Sequence, residues 1–230
     1  MVYDATCTAD FPKPGASGRD RHWGDRLLRR AGDLLEGVPW PGLTHSWQIG
    51  GWLYAALGRL DDRRGFSDWS SALEWLATHR EHEPIGEIQF WGHGRWGCAK
   101  IDCERLDIDA LDPAHPWHES LLRIRVRMRG HGGDLPLWWF RTCETFGAEV
   151  GHEFARAWTE FFDCRAAGHT YVIGPYQSGL HTLAPGQQPS WSTSEGLLEG
   201  TPADPRRALW STRREPNTIT CFHGRIPAGY

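Results

Sequence analysis

Ile88-Gln89-Phe90-Trp91-Gly92-His93-Gly94 and Leu137-Trp138-Trp139-Phe140-Arg141-Thr142-Cys143 are the stretches on which the reading of this chain turns. Each is a short apolar run that ends on a residue able to take part in covalent or proton-transfer chemistry. A run of this length bounded by Gly or Pro reads as a buried strand of a parallel sheet. In open parallel sheets the ligand crevice lies beyond the carboxyl ends of the strands. His93 and Cys143, 50 positions apart, are therefore expected to leave neighbouring strands and face one pocket. That is the layout of a cysteine nucleophile with a histidine partner.

Working outward, residues 1–20 contain Pro12, Pro14, Gly15 and Gly18 and read as irregular. Residues 21–36 carry Trp23, Leu27, Leu28, Ala31, Leu34 and Leu35 at helical spacing, ended by Gly37. After the turn-rich Pro39-Trp40-Pro41-Gly42, residues 47–60 read either as a strand running into a helix or as one helix broken near Gly50-Gly51. Ser67-Asp68 opens a helix that ends near His79. Residues 117–129 fit both periods, Leu122, Ile124, Val126 and Met128 alternating with arginines. Two parallel neighbouring strands need a crossover, so helix is favoured there. Residues 147–165 predict the strongest helix, with Val150, Phe154, Trp158 and Phe161 on one stripe. Thr170-Tyr171-Val172-Ile173-Gly174 reads as the next strand, and the tail from Pro185 as loop-rich with a late strand at 218–222. Strands alternating with helices give an α/β sandwich in one domain of 230 residues, with a mostly parallel central sheet and helices on both faces.

Composition narrows the function classes. A net charge of -4 gives no reason to expect nucleic acid or an anionic membrane as partner. No run approaches the ~18 apolar residues of a spanning helix, and no secretory signal is visible, so a cytosolic location is expected. Cysteines 7, 98, 103, 143, 164 and 221 are then expected as reduced thiols. Many of the 14 tryptophans lie inside apolar runs, which points to core use rather than a carbohydrate surface. His93, Cys98 and Cys103 do not have a usual zinc spacing, so neither metal nor any other cofactor is expected. The arginines at 123, 125, 127 and 129 read as a solvated face.

Thiolate is the nucleophilic form of cysteine, and a helix N-terminus favours it. Cys143, between a strand and a helix expected near Gly147, is placed for that effect. The backbone N–H groups of Gly94 and Cys143 are natural oxyanion donors. Gly92 and Gly94 beside His93 let a substrate backbone approach.

At this point the chain resembles the caspase-like cysteine peptidases: caspases, metacaspases, legumains, gingipains and related bacterial domains. A His-Gly after one strand precedes a Cys after the next by about 50 residues, and Arg141-Thr142-Cys143-Glu144-Thr145-Phe146-Gly147 is similar to the family's nucleophile motif. Gly151-His152-Glu153-Phe154-Ala155 is similar to the helix after that motif in bacterial members. The resemblance covers about residues 85–175, and Gly147 stands four after Cys143 where the family has it two or three after. It implies a caspase-like sandwich and cysteine endopeptidase activity without a cofactor. The implied partner is a protein or peptide substrate, with room for an activating or effector protein. It also implies that Arg141 shapes the pocket for the residue before the cut. A guanidinium there suits an acidic side chain, unless Arg141 instead pairs with a structural acid such as Glu144. Trp191-Ser192 is similar to the family's substrate-binding strand. Two other readings stay open: a non-catalytic scaffold or sensor of the same fold, and another thiol enzyme such as an acyltransferase or amidase.

Overall fold

The structure, a computed structural model, describes residues 1–7, 42–130 and 134–226. In chain order the elements are β1 (Val2–Asp4), α1 (Leu43–Ala56), β2 (Arg64–Phe66), α2 (Trp69–Thr78), β3 (Glu87–Trp91), β4 (His93–Arg95), β5 (Cys98–Ile101), β6 (Glu104–Leu106) and α3 (His118–Arg127). They continue with β7 (Leu137–Arg141), α4 (Ala148–Phe162), β8 (Arg165–His169), β9 (Tyr176–Gln177), β10 (Leu180–Leu183), β11 (Leu197–Gly200), β12 (Pro205–Ala208) and β13 (Ile219–Thr220). The helix expected at 21–36 lies outside the described residues.

The central sheet has six strands in the order β10-β8-β7-β3-β1-β2. β2, β1, β3, β7 and β8 run parallel, and β10 closes the sheet antiparallel to β8. This is a doubly wound order whose direction of growth reverses between β1 and β3. Alternation along the strands divides the side chains. Val2, Ile88, Phe90, Trp138, Phe140 and Ala166 face a large core shared with α2, α3 and α4. Leu137, Trp139, Ala167 and Leu180 face the other way, against Ile219 of the C-terminal segment. Tyr54 of α1 packs on that second face beside Met1, Tyr3 and Trp91.

Several sequence expectations hold. Asp68 caps α2, its Oδ1 accepting the Ser71 N–H at 2.7 Å. The ambiguous 117–129 segment is a helix with Leu121 and Ile124 fully buried. Its arginines are engaged rather than merely solvated: Arg123 pairs with Glu74 at 3.1 Å, and Arg127 donates to the Arg80 and Glu83 carbonyls. Trp69, Trp138, Trp139 and Trp158 fill the core.

Others are corrected. Residues 2–4, expected to be irregular, form an inner strand of the sheet, between β3 and the edge strand β2. The stretch read at residues 47–60 belongs to one unbroken helix, α1, which starts earlier, at Leu43, and ends at Ala56. The buried stripe of α4 runs through Gly151, Phe154, Ala155, Trp158 and Phe162, and leaves Val150 exposed. The strand expected at 170–174 lies at Arg165–His169 instead. Its register sets Ala166 beside Trp138 and Ala167 beside Trp139, so small side chains take the space two tryptophans leave.

Candidate active site at the carboxyl rim of the sheet

β3 and β7 are hydrogen-bonded parallel neighbours in the register Trp91↔Arg141. Their chains therefore leave the sheet side by side at one rim, and His93 and Cys143 each stand two residues beyond that last pair. The expected juxtaposition on one rim is what the fold contains.

After β3 the chain turns into a three-stranded antiparallel sheet, β4-β5-β6, which folds over the loop that follows β7. The contact is close: a Cβ on Gly94 would lie 2.6 Å from both Thr142 Cβ and Thr145 Oγ1. Only glycine lets the two segments meet. The Gly97 N–H donates to the Thr145 carbonyl at 3.0 Å, and the Thr142 and Thr145 hydroxyls bond each other.

The turn after Cys143 is built from its own amides. Glu144 N–H donates to Tyr171 O, Phe146 N–H to His169 O and Gly147 N–H to Glu144 O, each at 3.0 Å. Among the described residues the Cys143 N–H has no backbone acceptor and is directed at the residue's own sulfur. Glu144 adopts φ +45 and Ala148 φ +63, two non-glycine residues in the left-handed region on either side of the turn. Such strain is held only where the surroundings over-determine it. Gly147 sits at φ -80, so it is not the pivot of the turn. Its missing Cβ instead admits Trp96, whose Cδ1 would lie 3.1 Å from that atom.

The electrostatics differ from expectation. The helix after Cys143 begins only at Ala148, and Cys143 is half-buried. Desolvation pushes its thiol up to about 11; a hydrogen bond from the Ile173 N–H works against this, and the charge of Glu144 adds to it. The expected thiolate bias is thus absent, and the resting sulfur is a neutral thiol. Burial lowers the pKa of His93, a nearby Asp4 opposes that, and Lys100 adds to it. The His93 ring meets Trp47 edge-on, centroids 5.4 Å apart. No hydrogen bond joins His93 to Cys143 among the described residues. Glu144 itself is raised to about 7 by burial, with Arg95 acting the other way.

Arg141 does not serve as a substrate pocket. It lies on the opposite face of β7 from Phe140, 3 % exposed, between Trp91 and Trp139 with its guanidinium carbon 4.5 Å from each ring centroid. Its N–H groups donate to Gln177 Oε1, the Tyr54 hydroxyl and the carbonyls of Cys221 and His223. It is used up in fastening the C-terminal segment and α1 to the sheet, and it does not pair with Glu144. Trp191 is likewise a core residue, 7 % exposed. Its indole N–H donates to the Phe146 carbonyl at 3.0 Å, and its ring stacks on Phe146 and His181. It braces the turn from behind. Ser192 is exposed and pairs with Ser194.

The cations near the rim are different ones. Directly paired residues of an antiparallel ladder share a face. His93 pairs with Lys100, Lys100 with Arg105, and Arg95 with Cys98. Arg95, Lys100 and Arg105 line a recess of about 390 Å³ with Trp96, Val150 and Pro205. No group of three metal-ligating side chains occurs among the described residues. No helix there is long and apolar enough to cross a membrane.

Comparisons with protein-family models, with curated proteins and with solved structures find no match to this chain.

Proposed function

We propose that the protein is a cysteine endopeptidase of the caspase-like type, with Cys143 as nucleophile and His93 as proton-transfer group. The observation that carries this reading is the register of β3 against β7, which brings both residues to one rim of a parallel sheet. Both groups are neutral near pH 7, so deprotonation accompanies attack. Cys143 Sγ adds to the peptide carbonyl while His93 takes its proton. The oxyanion is held by the Cys143 N–H, which no backbone carbonyl occupies, and by the Gly94 N–H across the cleft. His93 then gives the proton to the departing amine as the C–N bond breaks. Water, deprotonated by His93, cleaves the thioester, releases the acid and restores the thiol. Cys143 and His93 touch the reacting atoms, and no cofactor enters. A preference for acidic residues near the cut rests on Arg95, Lys100 and Arg105, not on Arg141.

A broad thiol-reactive covalent probe, compared between wild type and Cys143→Ala alongside a peptide library, tests the reading. Probe labelling lost in the variant, with cleavage beside acidic residues, supports it. Selective labelling without peptide turnover assigns a different thiol chemistry, and an unlabelled Cys143 excludes nucleophilic catalysis.

One observation favours a second reading, a non-catalytic module that binds a partner. α1 exposes Ile49, Trp52 and Leu53, with Leu57 just beyond, on adjoining turns, an apolar stripe of the kind that marks protein contacts.

A further inference from the structure

We propose that Asp4 is the third member of this site, a buried carboxylate at the end of β1 that orients the His93 imidazole and stabilises its protonated form. The proposal rests on the reading of His93 as the proton-transfer group. β1 is the neighbour of β3 on the side away from β7, in the register Val2↔Phe90 and Tyr3↔Trp91. Continuing that register sets Asp4 beside Gly92, one residue before His93. The contact is tight, since a Cβ on Gly92 would lie 3.2 Å from Asp4 Cβ. Asp4, His93 and Cys143 thus follow three adjacent parallel strands at the point where the direction of growth reverses, the place where open α/β sheets bind their ligands.

The two oxygens of Asp4 differ. Oδ1 accepts from the Thr6 N–H at 2.8 Å and the Thr6 hydroxyl at 2.6 Å, which holds the turn after β1. Oδ2 is buried with no hydrogen-bond partner, in a residue 0 % exposed. A turn residue needs only the first oxygen. An orphaned buried carboxylate oxygen is costly unless it has another task. The groups acting on His93 are the Asp4 carboxylate, the Lys100 ammonium across the ladder, and the edge of Trp47. Lys100 disfavours the imidazolium that forms during attack; Asp4 supplies the opposing charge from a fully buried position. Asp4 acts through His93, so it is a positioning residue.

The test is Asp4→Asn in the full chain, because asparagine keeps an acceptor for Thr6 and exchanges the charged second oxygen for a neutral amide nitrogen. His93 followed by NMR is expected to titrate lower by about half a unit or more. kcat for peptide cleavage is expected to fall about tenfold or more with KM little changed. An unchanged His93 titration overturns the proposal. Should the wild type cleave no peptide, the enzymatic reading fails, while the titration still decides whether Asp4 and His93 are coupled. If Asp4→Asn does not fold, the ring-nitrogen shifts of wild-type His93 decide. One tautomer held from pH 6 to 9 supports the proposal, and a free-solution mixture of tautomers overturns it.

Discussion

At the scale of single residues, the site is a pair of neutral partners rather than an ion pair. Burial sets this, because it penalises thiolate and imidazolium alike. With its thiol at about 11, Cys143 is expected to react slowly with iodoacetamide at pH 7. Its rate should climb tenfold per pH unit past the range where ordinary cysteines level off, read site by site by mass spectrometry so that exposed Cys103 is counted separately. Glu144 ionises through about pH 7, and its negative charge holds the thiol up. Glu144→Gln should therefore speed alkylation above pH 7 and leave it unchanged near pH 5; equal rates at pH 8 would exclude the coupling. Of these residues, His93 and Cys143 were legible because each follows an apolar run. Asp4 was not, because Val2–Asp4 is too short a strand to show a period. Arg141 was misread by resemblance, although alternation along Leu137, Trp139 and Arg141 already puts it on the face away from Phe140.

At the scale of elements, the strands that carry long apolar side chains announced themselves and those that accommodate them did not. β3 and β7 are dense in Phe, Trp and Ile, and their limits were read to within two residues. β8 is Arg-Ala-Ala-Gly-His, apolar only by being small, and its Gly168 lies under the Phe146 ring. The more apolar Val172 and Ile173 sit instead in a loop that receives the Glu144 N–H and lends an N–H to Cys143. The C-terminal segment is another element whose place sequence does not tell, because a few distant side chains secure it, buried Arg141 with Tyr54 and Arg59. Arg141→Met should keep the apolar stack against Trp91 and Trp139 but strand Gln177 Oε1 and the His223 carbonyl, and leave the Cys221 carbonyl to the Tyr54 hydroxyl alone. A loss of about 3 kcal/mol is expected. Hydrogen exchange at 219–224 should rise first, and unchanged protection there would show that Arg141 is not the fastening.

At the scale of the whole molecule, two buried groups tilt stability with pH in opposite directions. His169 is fully buried, its Nδ1 facing the Ser178 carbonyl, and desolvation lowers it to about 3. Unfolding lets it take a proton near the usual 6.5, so its contribution is complete above about pH 6.5 and is lost as pH falls towards 3. Glu144 is raised, so its contribution is complete below its usual 4.5 and is lost as pH rises to about 7. Between 4.5 and 6.5 these two slopes offset each other; below 4.5 the histidine slope alone of this pair remains. Thermal melts of the wild type should therefore be flat around pH 5–6 and fall steeply below 4.5, with His169→Asn removing most of that fall. An unaltered acid limb in the variant would assign it to other groups.

The position of β1 has a consequence for how the chain reaches this state. Both of its sheet neighbours, Arg64–Phe66 and Glu87–Trp91, lie some sixty and eighty-five positions further along the chain. The β2–β1–β3 side of the sheet is therefore a seam that closes only through contacts of long sequence separation, which is the regime of slow folding and of prolonged exposure of unpaired backbone to aggregation.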